Sequence, residues 1–209
     1  MTRLALIGDS HAEVLFPLLR PALEAQGFTV ALTDARRGWS EASYLRDATF
    51  AARLRAASST VALVHLGGNN LALTDAAYAD TARRLLLLLK GAGVQQVYWI
   101  GPYVATSSTA DAARRHEVTA TLQARLLPAL AAETGLPVRW LDTRSFSRTG
   151  HSDGIHFTRA AYQDFGKRIT AWIAGTPSIP ALRGGHGLIG AALVAAALIG
   201  LALWRRRGG

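Results

Sequence analysis

The sequence contains no cysteine among its 209 residues. This absence excludes disulfide bonds, catalysis by a thiolate, and zinc sites built on cysteine. It leaves the cellular compartment open, because a chain without cysteine is compatible with an oxidising or a reducing environment. Low-complexity stretches are also missing, and 50% of the residues are apolar. We therefore expect a folded domain with a full core.

A concentrated positive patch is missing as well, although the formal net charge is +9. Four of the 23 basic residues lie beyond residue 175, where there is no acidic residue, so residues 1–175 carry 19 basic against 14 acidic side chains. The other arginines are scattered singly or in pairs, such as Arg36-Arg37 and Arg83-Arg84. No basic stripe is interleaved with aromatic side chains, so we expect a solvated surface and no nucleic-acid partner.

Short apolar runs alternate five times with segments of helical periodicity. The runs predict strands at 4–7, 28–32, 61–66, 94–100 and 138–141. The segments between them predict helices at 12–26, 41–57, 74–91, 111–133 and 158–174, with a loop at 33–39 and a kink or break at Pro128. Such alternation is typical of a parallel sheet with helices on both faces. We predict an α/β domain over residues 1–175.

Polar residues follow the predicted strands at a single edge of this sheet. Ser10, Gly38, Asn69 and the region of Asp153 all fall in loops at the carboxyl ends of strands. Ligands of open parallel sheets bind at that edge. Ser10 comes after Gly8, whose backbone freedom suits the exit from the first strand. The sequence therefore predicts a site built from these loops.

These loops carry the groups needed for nucleophilic catalysis by serine. Asp153 and His156 are three residues apart, a spacing that lets the carboxylate accept from one imidazole nitrogen and leaves the other facing outward. Such an imidazole is a general base for a hydroxyl within reach, and Ser10 offers one. The Asn69 amide and the main-chain N–H groups of Gly38 and Ser10 can donate to an oxyanion.

Four short motifs resemble the blocks of the SGNH (GDSL-type) hydrolases in order and interval. They are G-D-S at 8–10, the glycine at 38, G-G-N at 67–69 and D-G-I-H at 153–156. The resemblance covers residues 3 to about 174. It implies a flavodoxin-like three-layer sandwich with a five-stranded parallel sheet. Members of this family hydrolyse or transfer acyl esters without a metal, so we expect neither a metal nor another cofactor.

The resemblance also assigns roles to individual residues. It implies Ser10 as the nucleophile, His156 as the base and Asp153 as the acid that orients the base. It implies an oxyanion hole formed by the N–H of Ser10, the N–H of Gly38 and Asn69.

Two positions depart from the family pattern, and one of them bears on the substrate. His11 replaces the usual leucine, and Asn70 replaces the usual aspartate. The motif G-D-S-H-A resembles the SGNH domains attached to membrane sugar acyltransferases, which favours an O-acetylated carbohydrate. We expect an esterase for small acyl groups on a glycan. The alternatives are a lysophospholipase, thioesterase or acyltransferase on the same fold, and a non-catalytic, membrane-tethered binding module.

Other residues near these loops have structural interpretations. We expect His65 to be a packed core histidine rather than a metal ligand, and Asp9 to fix its turn by hydrogen bonds. We place His11 and His151 at the mouth of the pocket. Three aromatic residues can either stack on a sugar ring or pack the wall: Trp39, Tyr103 and Phe157.

The carboxyl-terminal segment differs in composition from the domain. Residues 176–187 predict a linker, and 205–209 form a basic tail. Between them, residues 188–204 carry no charge and would span roughly 26 Å as a helix at about 1.5 Å per residue. This length predicts a transmembrane helix or, alternatively, a hydrophobic helix docked in a larger assembly. We expect membrane association through this segment.

The side of the membrane stays open. The excess of arginine after the apolar segment favours a cytoplasmic tail and an external enzyme. The first strand, however, begins two residues after Met1 and leaves no room for a signal peptide. A tail-anchored cytoplasmic domain, a start further upstream and another export route remain alternatives.

Overall fold

The computed structural model describes residues 1–71, 73–103, 110–146 and 155–175. Its strands are β1 (Thr2–Gly8), β2 (Phe28–Ala35), β3 (Val61–His65), β4 (Gln96–Ile100) and β5 (Val138–Leu141). Its helices are α1 (Ser10–Ala25), α2 (Glu41–Arg46), α3 (Phe50–Ala57), α4 (Asp75–Gly91), α5 (Ala110–Thr134) and α6 (Arg159–Gly175). All neighbouring strands pair in parallel, in the order β2-β1-β3-β4-β5. This is the flavodoxin-like order, so the predicted five-stranded α/β sheet is confirmed.

Each face of the sheet carries its own layer of helices. Successive side chains of a strand point to opposite faces. Leu4 and Leu6 of β1 pack against α1 and α6 on one side, whereas Ala5 and Ile7 pack against α2 to α5 on the other. Burial on both faces explains why the inner strands are continuous apolar runs.

Three segments differ from the sequence prediction. The strand β2 extends into the predicted loop, because its residues stay paired with β1 as far as Ala35. The helix predicted over 41–57 is two helices, since the Asp47 carboxylate accepts hydrogen bonds from the N–H and the hydroxyl of Thr49 and thereby interrupts the first. The helix α5 continues through Pro128, which lies on its exposed side, where water can replace the missing hydrogen bond.

The helix α2 is fastened to the edge where β1 and β2 end. The buried hydroxyl of Tyr44 lies 2.8 Å from the carbonyl oxygen of Gly8 and 2.5 Å from that of Asp34. These two carbonyls belong to neighbouring strands. Tyr44 therefore joins both strand ends directly below the loops that follow them.

The predicted linker, hydrophobic helix and basic tail, at 176–187, 188–204 and 205–209, lie outside the described residues. Within the ranges that the structure describes, no helix has both the length and the apolar character that crossing a bilayer requires.

Candidate active site

The turn from β1 into α1 presents Ser10 at the carboxyl edge of the sheet. Asp9 is the N-cap of α1, and its Oδ1 accepts a hydrogen bond from the N–H of His11 at 3.0 Å. Ser10 is therefore the first residue of the helix. The first N–H groups of a helix lack partners within it, and that of Ser10 has no acceptor among the described residues.

Gly8 is required by close packing and not, as the sequence suggested, by backbone freedom. Its φ is not positive. A Cβ at this position would lie 2.2 Å from the Cβ of Ala12 and 3.0 Å from the carbonyl oxygen of His65. Any side chain here would push α1 away from the sheet and displace Ser10.

The hydroxyl of Ser10 contacts the imidazole of His156. Its Oγ lies 2.8 Å from Nε2 of His156, although the two residues are 146 positions apart. They meet because α1 and α6 lie side by side on the same face of the sheet. A hydroxyl in this contact can pass its proton to the imidazole. The catalytic roles of both residues stay predictions, and Asp153, predicted to orient His156, lies outside the described residues.

The loops after β2 and β3 meet at the same edge. The Asn69 amide donates one N–H to the main-chain carbonyl of Trp39 at 3.2 Å, which fixes the amide next to Gly38. Gly38 is the third residue of a turn closed by the N–H of Trp39 and the carbonyl of Arg36. Its φ is 74°, a value that favours glycine at this turn position.

Three N–H donors at this edge have no acceptor within the described ranges. They are the main-chain N–H of Ser10, that of Gly38 and the second N–H of the Asn69 amide. Two of these donors belong to the main chain and the third is held by the carbonyl of Trp39, and donors fixed in this way can stabilise an oxyanion without reorganisation. Their role as an oxyanion hole stays a prediction.

Buried polar side chains surround Asp9 beneath Ser10. Oδ1 of Asp9 lies 3.4 Å from Nδ1 of His65. Burial opposes ionisation of the carboxyl group, but His65 and His11 outweigh this effect and hold the pKa of Asp9 below its usual value. His65 is 1% exposed, as expected for a core histidine. Among the described residues, no group of three or more His, Asp or Glu side chains has the arrangement of a metal site.

His11 lies beneath the site and not at its mouth, where the sequence placed it. It is buried, because it is the second residue of α1 and points toward α6, where its Nδ1 lies 2.8 Å from the hydroxyl of Tyr162. Its ring centroid is 5.0 Å from that of His156. Burial lowers the pKa of His11 to about 3, so the ring is neutral near pH 7 and does not repel a proton on His156. His151, also placed at the mouth, lies outside the described residues.

His116 of α5 is a residue that the sequence did not reveal. Its Nδ1 lies 2.6 Å from the carbonyl oxygen of Tyr103, and its Nε2 lies 3.1 Å from that of Gly68. Burial lowers the pKa of His116, and the two carbonyls oppose this effect. The side chain thereby links α5 to the loop that carries Asn69.

Two of the three aromatic candidates pack the wall. Tyr103 and Phe157 are buried and both contact the ring of Phe165. Trp39 is half-buried, and the guanidinium of Arg36 lies over its ring at 4.2 Å from the centroid. Among these three, Trp39 alone is partly exposed, and it lines a surface cleft.

Several solved structures are similar to this chain. A lipase/acylhydrolase from Enterococcus faecalis is 20% identical, with a TM-score of 0.61 over 86% of this chain and 100% of its own. A GDSL-like lipase from Bacteroides thetaiotaomicron is 14% identical, with a TM-score of 0.55 over 83% of this chain and 88% of its own. A catalytic mutant of an acetylxylan esterase from Geobacillus stearothermophilus is 15% identical, with a TM-score of 0.59 over 84% of this chain and 95% of its own.

No protein-family model matches the sequence, and no curated protein matches it. The similarity is therefore one of three-dimensional structure, spread over almost the whole described domain. This chain has the fold of the SGNH (GDSL-type) lipases and esterases.

Proposed function

We propose that this chain is a serine ester hydrolase that cleaves small acyl groups, with O-acetyl groups on a carbohydrate as the substrate class. The observation that carries the proposal is the 2.8 Å hydrogen bond between Ser10 Oγ and His156 Nε2. Nucleophilic catalysis by serine requires a general base within hydrogen-bonding reach of the hydroxyl, and His156 meets this requirement. The fold supports the same conclusion, because lipases and esterases share it.

In the proposed mechanism Ser10 attacks the carbonyl carbon of the ester. Nε2 of His156 takes the proton of Oγ as the bond to the acyl carbon forms, and then gives it to the leaving alcohol as the ester bond breaks. Water, deprotonated by the same nitrogen, cleaves the acyl-enzyme to the free acid and the free serine. Asp153 would hold the proton on Nδ1 of His156. Ser10, Gly38 and Asn69 would donate N–H groups to the oxyanion.

Three observations favour a carbohydrate ester over a lipid ester. One of the similar structures is an acetylxylan esterase. The motif G-D-S-H-A also resembles SGNH domains that accompany sugar acyltransferases. The half-buried residue Trp39 carries an apolar ring, and its main-chain carbonyl is bound by the Asn69 amide. The similarity to a lipase keeps long-chain esters as the alternative substrate class.

Substitution of the serine tests the proposal. In Ser10→Ala we expect kcat/KM for p-nitrophenyl acetate to fall by about a thousandfold or more, because the nucleophile is lost. Ser58→Ala is the matched control, since Ser58 is exposed at the end of α3. A serine-directed phosphonate should label the wild type and the control but not Ser10→Ala. Full activity of Ser10→Ala would overturn the proposal.

The acyl group is tested with p-nitrophenyl esters of increasing chain length. We expect p-nitrophenyl acetate to be a better substrate than the esters with longer chains. We also expect the enzyme to release acetate from an acetylated xylan. A preference for octanoate or for a lysophospholipid would favour the lipase alternative. Formation of a new ester when an acceptor sugar is added would favour an acyltransferase.

We further propose that residues 188–204 attach the chain to a membrane. The support is a run without charge that ends at Trp204 and is followed by three arginines, residues that suit a membrane interface. The full-length chain should sediment with membranes and resist extraction by alkaline carbonate. Release by this wash would instead favour a helix docked in an assembly.

A further inference from the structure

A cleft of about 430 Å³ lies beside the loop that carries Gly38. Its lining residues are Arg36, Trp39, Ser43, Arg46 and Asp47. Small-molecule sites are typically about 300 to 1,000 Å³ in volume. Trp39 connects this cleft with the loop of Asn69, because Trp39 belongs to the lining and its main-chain carbonyl accepts the hydrogen bond from the Asn69 amide.

The carboxylates at the cleft are already paired. Asp47 lies 2.8 Å from Arg53 and 3.4 Å from Arg36. The hydrogen bonds that it accepts from Arg53 and Thr49 hold its pKa well below the usual range. Behind it, Asp34 lies 2.7 Å from Arg36 and 2.5 Å from Arg53. Two carboxylates therefore neutralise two guanidinium groups.

The guanidinium group of Arg46 has no anionic partner among the residues that the structure describes. Arg46 is the last residue of α2, its side chain is exposed, and it makes no ion pair or side-chain hydrogen bond within the described part of the chain. Arg36 uses Nε for Asp34 and Nη2 for Asp47, so its Nη1 has no partner there either. The cleft presents guanidinium N–H groups that no carboxylate of the described chain satisfies.

We propose that this cleft binds an anionic oxygen group, a carboxylate or a phosphate, on the alcohol part of the ester. The inference rests on the proposed function and narrows it to acidic esters, such as an acetylated sugar that also carries an acid group. The planar fork of a guanidinium matches both kinds of anion. Arg46 would contact the anion, and Arg36 would hold Trp39 in place beside it.

The expected effect is moderate, because the cleft is open to water. Exposed ion pairs contribute little, and salt screens them. We expect loss of the Arg46 charge to lower the preference for an anionic ester about twofold to fivefold, with no change for a neutral one.

Three aryl acetates that differ in one substituent test the cleft. Phenyl acetate is neutral, 4-acetoxybenzoate carries a carboxylate and 4-acetoxyphenyl phosphate carries a phosphate. The readout is the ratio of kcat/KM for each anionic ester to that for phenyl acetate. We expect Arg46→Gln to lower one or both ratios, and added NaCl to do the same in the wild type. Arg55→Gln is the matched control, since the Arg55 side chain is exposed on α3 and makes no ion pair within the described ranges.

Each outcome has a distinct meaning. If Arg46→Gln lowers the ratio for 4-acetoxybenzoate alone, the cleft binds a carboxylate. If it lowers the ratio for the phosphate ester alone, the cleft binds a phosphate. If both ratios fall, the cleft is a general anion site. If the wild type hydrolyses phenyl acetate and Arg46→Gln leaves both ratios unchanged, the cleft proposal is overturned while the proposed function stands. If the wild type hydrolyses none of the three esters, the proposed function fails, and the cleft proposal fails with it.

Discussion

Two carboxyl groups flank the proposed site, and both are fully buried, yet their pKa values move in opposite directions. Asp9 precedes Ser10 in the first turn, and Glu41 begins α2, three residues after Gly38. The pKa of Asp9 lies below its usual value. That of Glu41 is raised to about 7.

The two carboxyl groups are equally buried, so the difference between their pKa values arises from their hydrogen-bond and charge partners. Asp9 accepts a hydrogen bond from His11 and lies against His65. Neither carboxyl oxygen of Glu41 has a hydrogen-bond partner among the described residues. Burial therefore raises the pKa of Glu41, and the charge of Asp9 raises it further. The same burial is compatible with an ionised group at one position and with a group that titrates near neutral pH at the other.

Glu41→Gln should remove the difference between the two carboxyl groups, and it should have the largest effect on the free energy of unfolding. The pKa of Glu41 is about 7 in the folded state and near 4.5 in the unfolded state, so the folded state binds the proton more tightly. The wild type therefore loses free energy of unfolding as the pH rises through this window. The amide cannot ionise, so the variant should gain on the order of 2 kcal/mol relative to the wild type between pH 5 and pH 8.5. Urea unfolding at both pH values measures this gain.

Glu24→Gln serves as the control for that measurement, because Glu24 is exposed on α1. Its free energy of unfolding should follow that of the wild type at both pH values. A Glu41→Gln variant that differs from the wild type by the same amount at pH 5 and pH 8.5 would contradict the explanation.

Asp9→Asn should act in the opposite direction and somewhat less strongly. Asparagine still caps a helix, so the substitution removes the charge beside His65 and keeps the contact with the N–H of His11. We expect a loss of about 1–2 kcal/mol at pH 7. Because the folded-state pKa is depressed, the stabilisation is present above the unfolded-state pKa and disappears as the pH falls through the folded-state value.

The loss in Asp9→Asn should therefore shrink below about pH 4. Thermal unfolding over a pH series measures it. Asp80→Asn, at an exposed position of α4, should change the free energy of unfolding by less than about 0.5 kcal/mol. A deficit that stays constant in acid would mean that the charge of Asp9 is not its source.

Tyr78→Phe should have the smallest effect on the free energy of unfolding, and it tests whether Glu41 lacks a hydrogen-bond partner. The buried hydroxyl of Tyr78 has no hydrogen-bond partner within the described ranges. Its removal should leave the free energy of unfolding within about 0.5 kcal/mol of the wild type or raise it. Tyr44→Phe is the contrasting control, because its hydroxyl contacts two carbonyls, and it should lose about 1 kcal/mol. A similar loss in Tyr78→Phe would indicate a hydrogen bond to Glu41.

The sheet was predictable because its inner strands are apolar on both faces. The runs that contain β1, β3 and β4 are ended by glycine and separated by helices, and this pattern places Ser10 and Asn69 at one edge. The position of the split between α2 and α3 was not predictable from periodicity, because it depends on hydrogen bonds from Thr49 to Asp47. Local competition of this kind leaves the apolar spacing unchanged.

Two kinds of contact at the site were not predictable from the sequence: bonds to distant backbone carbonyls and a side-chain contact set by a turn. His116 binds backbone carbonyls, which have no signature in a sequence. The pair Arg36-Arg37 was predicted as solvated surface, which suits Arg37, whose side chain is 82% exposed. Arg36 instead packs over Trp39, because the turn at Gly38 brings the two side chains together.

The contact between Ser10 and His156 spans nearly the whole domain, and this has a consequence for synthesis on the ribosome. The serine is among the first residues to emerge, whereas the imidazole and the α6 helix that covers α1 follow almost at the end of the domain. Nascent or prematurely terminated polypeptides would carry the serine without its base. We therefore expect such incomplete products to be inert toward cellular esters, with activity gained only when the final helix docks.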